Sequence, residues 1–381
     1  MKIKRFAATI MTVMMSFSAL GMSALAEEQM VSSYLTGKQV PESIGRKRPV
    51  ALMIENDSDA VQWQRGTGNA SVMYEAMVEG GITRMMGIFE DYQDVEQIMP
   101  IRSSRPYYVY YAREFDAYYG HYGQVIYAVP VLQQPETCDI AGIPYGEDGQ
   151  DYRLNDGSAA YIRDHEGVTG IYTTYNLLQN VIENCQWRTD YRDDYEGHYR
   201  FAQDGETVTL ENGETANVVL PGFSYNHPRF DYNSEDQMYY RSEFGSAQVD
   251  QLTGKQLAYT NIIIQECPST MFDDHYLWTD PVNHGESGGG WFITNGRAER
   301  ITWQKENWSE NEQVLFDITS AYTSVDVRNS DFNITRYYDM DGNEITLNQG
   351  KTFVEVVREQ DASKVVISDD PNIDTYVTDS Y

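Results

Sequence analysis

Between residues 75 and 121 this 381-residue chain gathers side chains able to do chemistry: Glu75, Glu79, Arg84, Arg102, Ser103, Arg105, Tyr107, Asp116 and His121. Arg102-Ser-Ser-Arg105, placed just before Pro106, combines two guanidinium forks, two hydroxyls and the free amides of a helix start, a set that holds a carboxylate or a phosphate. Glu75 and Glu79 are four residues apart. On one helix they would repel by a few tenths of a kcal/mol unless a cation such as Arg84 lay beside them. His121, within Tyr118-Tyr-Gly-His-Tyr-Gly123, would serve as a general acid or base if it faced either glutamate. Two readings stay open: a groove for an anion, or an internal network in which these groups satisfy one another and bind nothing.

The elements that must position these residues read as follows. Val50-Ala-Leu-Met-Ile54 has the length of a buried strand. Ala70, Met73 and Met77 recur at helical spacing over 69–79, and Gly80-Gly81 reads as a helix stop. Strands are expected over 82–89 and near 95–101, then a helix over 105–114 started by Ser103-Ser104 and Pro106. Strands alternating with short helices predict a mixed α/β domain, assigned to residues 47–205. Beyond it the pattern has period two, over 207–210, 216–220, 237–241 and 260–265, with Asn295-Gly296 and Asp341-Gly342 as hairpin turns. A mainly antiparallel β domain is therefore expected over 215–362. Residues 27–46 read as a flexible leader and 363–381 as an acidic, disordered tail.

Charge and the N-terminus set the compartment. Lys2, Lys4 and Arg5, an apolar run to about Leu20, and Ala24-Leu-Ala26 form a cleavable signal peptide over residues 1–26, so the chain is expected outside the cytoplasm. Cleavage removes three basic residues and no acid, taking the net charge from -30 to -33. That excludes general nucleic-acid binding, whose affinity comes from basic residues on phosphates. No further membrane span follows. None of Cys138, Cys185 and Cys267 lies behind the signal sequence, so a lipid anchor on cysteine is not expected, and whether two of them form a disulfide stays open. From Arg65 to Arg241 every cation is arginine, the residue that best holds paired and buried positions.

No cofactor or metal is expected. Ser287-Gly-Gly-Gly-Trp291 is neither a Walker loop nor a dinucleotide fingerprint, and no histidine pair has metal spacing. Asp273-Asp-His275 with Asp280 and His284 could attract a cation, and Asp339-Met-Asp-Gly-Asn-Glu344 copies part of a calcium loop yet reads better as a turn. Thirty tyrosines and six tryptophans supply flat faces for sugars or peptides, as well as for core packing.

Three blocks, Arg48-Pro-Val-Ala-Leu-Met-Ile-Glu-Asn56, Val72-Met-Tyr-Glu-Ala-Met-Val-Glu-Gly-Gly-Ile-Thr-Arg84 and Pro100-Ile-Arg-Ser-Ser-Arg-Pro-Tyr107, resemble the YerB-like family of bacterial extracytoplasmic proteins, known as DUF3048. The resemblance extends over most of residues 46–360 and implies an N-terminal and a C-terminal domain, in a family without an assigned reaction whose members are often lipoproteins. It also implies a histidine where this chain has Thr169. The expected function is thus a ligand-binding or assembly protein of the bacterial envelope with an Arg/Glu-lined groove in its N-terminal domain, partnered by cell-wall glycan, peptide or another envelope protein. The alternative is an envelope-polymer hydrolase or transferase using Glu75, Glu79 and His121.

Overall fold

The computed structural model describes residues 28–380 apart from 94, 145–150, 152, 164–167, 173–176 and 318–325; the signal peptide lies outside the described residues. Its centre is one mixed sheet of eleven strands that draws on both halves of the chain. From the N-terminal half come β1 (Val50–Glu55), β2 (Val72–Met77) and β3 (Thr83–Phe89), followed by helix α1 (Pro106–Glu114), β4 (Tyr118–His121) and β5 (Cys138–Ala141). After helix α2 (Leu177–Asn184) the chain forms β6 (Val218–Leu220), β7 (Arg229–Asn233) and β8 (Met238–Glu243). It then returns to the large sheet with β9 (Asn261–Cys267), β10 (Gly288–Thr294), β11 (Arg297–Lys305), β12 (Thr335–Asp339) and β13 (Thr352–Arg358). The last strand is β14 (Val366–Ser368).

The order across the large sheet is β11-β10-β9-β13-β2-β3-β1-β4-β5, with β12 and the two-residue strand Glu214–Thr215 also on β11. In the N-terminal region β1 is antiparallel to β3 and parallel to β4, a mixed arrangement, whereas β9, β10, β11 and β12 run antiparallel in sequence. The fold class read from the sequence is the one observed. What joins the two regions is β13, which lies between β9 and β2 and is parallel to both. A second, antiparallel sheet, β8-β7-β6-β14, packs on one face of the large one.

Helix α1 covers the other face. Tyr107, Tyr108, Tyr110 and Tyr111 are all buried within it, Tyr111 stacking on Tyr74 at 4.7 Å and Tyr110 on Phe332 at 4.7 Å. A helix buried on nearly every side is a core element, and its aromatics are spent on packing.

Three expectations are corrected. Residues 69–79 run from the end of a 3-10 turn (Thr67–Asn69) through strand β2 to the turn beginning at Glu79, and form no helix of the expected kind. A strand buried on both faces shows no alternation, so its apolar residues can mimic helical spacing. Gly80 and Gly81, with φ of 73° and 77°, turn the chain from β2 into the antiparallel β3 instead of ending a helix. The leader is docked: Met30–Ser32 pairs with Gln39–Pro41, Leu35 is fully buried, and Ser33 Oγ donates to both Glu90 oxygens at 2.7 and 2.8 Å. The tail is docked too. Strand β14 pairs with β6, and Arg229 donates to the carbonyls of Pro371 (2.7 Å) and Ile373 (2.8 Å). In addition, 207–210 forms no strand, and 95–101 contributes only Gln97–Ile98.

The helix face carries a buried ionic tie between the two regions. Glu114, at the end of α1, accepts from Lys305 Nζ at the end of β11, from the Thr335 amide at 2.8 Å, and pairs with His198 Nε2 at 2.7 Å, with Glu114, Lys305 and His198 side chains all sealed from solvent. Burial alone would raise the Glu114 carboxyl, but Lys305 and His198 outweigh it and hold the pKa down to about 2 from 4.5. A folded pKa below the unfolded one gives stability that is present above about pH 4.5 and lost as pH falls toward 2. Glu114→Gln is therefore expected to lose about 3 kcal/mol at pH 7 and almost nothing near pH 2, read from urea unfolding at each pH.

Candidate functional site

The nine residues singled out in the sequence do not form one groove; the structure sends them to five places. Glu75 points from β2 toward the second sheet and is fully buried. It accepts from Asn56 Nδ2 at 2.9 Å and Asn226 Nδ2 at 2.7 Å, and forms an ion pair with Arg241 Nη2. Arg241, on β8, also meets Glu243 at 3.1 Å, and its guanidinium lies over Phe353 (5.1 Å) and Phe230 (5.7 Å). Glu355, the register partner of Glu75 on β13, completes a sealed cluster of three carboxyls and one guanidinium. Burial, reinforced by the neighbouring Glu75, pushes Glu355 well above the usual carboxyl range, which favours its neutral form. Burial raises Glu243 as well, against the pull of Arg241.

Arg241, Glu243, Glu355, Asn56 and Asn226 were not among the expected site residues. The signal was there for three of them: in Met238-Tyr-Tyr-Arg-Ser-Glu243, Arg241 and Glu243 share the inward face with Tyr239. Glu355 likewise stands alone in an apolar run, Phe353-Val-Glu-Val-Val357.

Glu79 lies past the end of β2 and is gripped by Arg105, whose Nε reaches both carboxylate oxygens at 2.8 Å. Arg84 donates to the Ser103 carbonyl at 2.9 Å, and burial, with Arg105 beside it, brings its pKa down to about 10. Glu79 thus takes the place that an external anion would have at the strand-to-helix junction. Ser103 Oγ and the Tyr107 hydroxyl go to main-chain carbonyls, of Tyr122 (3.3 Å) and Met77 (2.7 Å).

Asp116, in a left-handed conformation with φ 52°, accepts from Arg188 at 2.7 and 3.0 Å and lies 3.5 Å from Arg48. His121 is sealed, with Nε2 on Asp139 at 2.9 Å and Nδ1 on the Gly123 carbonyl at 2.7 Å. Since Glu75 and His121 have no exposed surface and Glu79 is locked to Arg105, the three cannot act together on a substrate in this arrangement.

Arg102 is the member left facing solvent. Its side chain is 50% exposed and pairs with Glu55 at 2.8 Å, in a cleft of about 300 Å³ that Trp63, Tyr122 and Thr169 also line. Thr169, the departure from the histidine implied by the resemblance, is thereby brought beside Arg102.

A larger cleft, about 550 Å³, opens in the C-terminal region between Phe272, Trp278 and Trp308, with Asp280, His284 and Glu310 on its walls. Asn283, His284 and Gly285 are all left-handed, with φ of 51°, 46° and 79°. Two consecutive non-glycine residues in that region cost on the order of 1–3 kcal/mol each, and such strain collects at functional sites. Asp280 holds the turn by accepting the amides of Val282 (2.9 Å) and Asn283 (3.2 Å), and lies 3.3 Å from His284 Nε2. A Cβ on Gly285 would collide with the Trp308 ring, and Trp308 Nε1 is fixed by Asp331 at 2.8 Å. The expected cation attraction by Asp273, Asp274, His275, Asp280 and His284 is not met. Asp273 is used on the Tyr127 hydroxyl and local amides, and no group of three or more ligating side chains among the described residues could hold a metal ion.

Comparison with known proteins places this architecture. Residues 35–188 match the family described as "Protein of unknown function (DUF3048) N-terminal domain", and residues 216–317 match its C-terminal domain. The chain carries both DUF3048 domains. It is 26% identical, over 278 residues, to a Bacillus subtilis (strain 168) protein named "Putative lipoprotein YerB", covering 72% of this chain and 78% of that one. The crystal structure of YerB from Bacillus subtilis superposes with a TM-score of 0.65 at 22% identity, covering 89% of this chain and 99% of that one, a likeness of fold. The word lipoprotein in that name points to the envelope and runs against the expectation of no lipid anchor on cysteine, which the comparisons do not support. No helix among the described residues is long and apolar enough to cross a membrane. Within the DUF3048 chain, the Arg102 cleft falls inside the N-terminal match, while the aromatic cleft runs from residue 268 past the end of the C-terminal match, to residue 328.

The sealed cluster has a measurable signature. Arg241→Met removes the cation from among three buried carboxyls and is expected to cost about 3–5 kcal/mol in denaturant unfolding. Glu355→Gln should act oppositely. Because folded Glu355 titrates above 4.5, its contribution is full below that pH and declines as pH rises, so the neutral amide should match the wild type near pH 4.5 and exceed it at pH 8.

Proposed function

We propose that this DUF3048 chain is an exported ligand-binding protein of the bacterial envelope that seats a glycan fragment in the cleft of Phe272, Trp278 and Trp308. The observation that carries this reading is the strained Asn283-His284-Gly285 turn pressed against Trp308 at the wall of this aromatic cleft. Flat aromatic faces take the apolar faces of sugar rings, and Asp280 and Glu310 are acceptors for sugar hydroxyls. Export rests on the signal sequence over residues 1–26 and on the YerB relative's name. Of the Arg/Glu-lined groove expected in the N-terminal domain, the Arg102-Glu55 cleft is the open remainder, a smaller seat with one half-exposed guanidinium. The enzyme reading through Glu75, Glu79 and His121 gains nothing from this geometry, since two of the three are sealed.

Titration with soluble peptidoglycan glycan fragments, followed by tryptophan fluorescence, is the test. Trp308→Ala and Trp278→Ala should each weaken binding about tenfold or more while the far-ultraviolet spectrum stays unchanged. Equal affinity in both variants, or saturation by stem peptide but not by glycan, overturns the glycan seat. Fragments returned chemically altered by the wild type would overturn the purely binding role.

A further inference from the structure

A third cleft, of about 440 Å³, lies where the last turn of α1 meets the segment around residue 188, and it is walled by Arg48, Arg113, Arg188 and Arg192 against only Asp116 and Glu136. In a chain of net charge -30 this is a local excess of positive charge. Asp116 is shared by two of these arginines: Arg188 holds it in a fork and Arg48 lies 3.5 Å away. Arg192 pairs with Asp194 at 3.2 Å on the outside and is 36% exposed.

Arg113 is different. Its guanidinium stacks on Phe332 at 3.5 Å, its Nη1 is buried with no hydrogen-bond partner, and no carboxylate comes within ion-pair distance among the described residues. The side chain is mostly buried, and burial, against the opposing charge of Glu136, lowers its pKa to about 10, so it stays charged at neutral pH. The buried arginines elsewhere have their counterparts: Arg241 has Glu75, Arg105 has Glu79, and Arg84 has the Ser103 carbonyl. An unpaired buried cation is costly, and a cleft that keeps one beside three further arginines is suited to an incoming anion. Stacking on Phe332 holds the plane of the fork while leaving its edge for a ligand.

We propose that this arginine-walled cleft is a binding site for an oxyanion, the phosphate or carboxylate group of a small molecule, with Arg113 as its central contact. The site is separate from the aromatic cleft, and its test does not depend on the glycan reading. A bound oxyanion would accept from the Arg113 guanidinium and from the partly exposed Arg192, giving Arg113 the direct partner that Glu136, beyond ion-pair distance, does not supply.

The test uses the purified protein and inorganic phosphate, with acetate and citrate as carboxylate arms, each against chloride at matched ionic strength. Thermal unfolding and isothermal titration should show saturable stabilisation by phosphate or by the carboxylates, and whichever saturates identifies the chemistry. Arg113→Met should weaken that anion about tenfold to a hundredfold. In chloride it should unfold no earlier than the wild type, because the unpaired charge is gone. A purely structural Arg113, serving only to stack on Phe332, would show the reverse: lower stability in chloride and no anion response to lose. Should Arg113→Met fail to fold, Arg113→Lys and Arg192→Gln carry the test, each with an affinity lowered several-fold. No saturable response in the wild type, or the same response in the Arg113 and Arg192 variants, overturns the proposal.

Discussion

One guanidinium has to serve three buried carboxyls. Arg241 comes from the small sheet, Glu75 and Glu355 from adjacent strands of the large one, and Glu243 from its own strand. Ions in such a place are stabilising only when geometry is tight and the charge is kept down, and burial favours the neutral form of Glu355 by raising its carboxyl well above the usual range. The cluster therefore fixes how the two sheets lie on each other. A slip of β8 by one residue would turn Arg241 and Glu243 outward and leave Glu75 buried without a cation. Phe230 and Phe353 close the cluster from either sheet, so the same contacts that expel water also hold the cation in place.

The opposite face of the large sheet repeats the device with other residues. There Glu114 of α1 is held by Lys305 and the Thr335 amide, again joining the N-terminal region to the C-terminal one. Each face thus has a buried ionic fastening inside an apolar layer, and both join segments far apart in the chain, Glu75 to Arg241 across 166 residues and Glu114 to Lys305 across 191. The preference for arginine over lysine between residues 65 and 241 follows from this use. Arg105, Arg188 and Arg241 are fixed in forks or sealed pairs that a point-charged ammonium would hold less well.

What the sequence made legible was local. Pro106 behind Ser103-Ser104 marked helix α1, the run at residue 50 marked β1, and Asn295-Gly296 marked the hairpin whose strands pair Thr294 with Arg297. The fold class followed from the change to period two. What stayed hidden was set by partners distant in the chain. Strand β2 looked helical because both its faces are covered, one by α1 and one by the second sheet, which erases the alternation that would have named it. For Glu75 the sequence left a ligand contact and an internal pair both open, since its partner Arg241 cannot be read from spacing. Asp280 and His284 stood out as a weak cation signal. Their geometry shows instead a carboxylate and an imidazole bracing a left-handed turn at the mouth of the aromatic cleft.

The place of β13 has a consequence for how such a chain comes into being. Residues 352–358 are the last strand of the large sheet to be synthesised, and they fill its middle. Until they arrive, β2 and β9 each present an open apolar edge, and neither half of the sheet can meet the other. A nascent chain extruded from its N-terminus therefore cannot close its core early. It stays unlocked, and dependent on protection from edge-to-edge association, until nearly all of its length is available, and then completes the sheet by inserting a single strand.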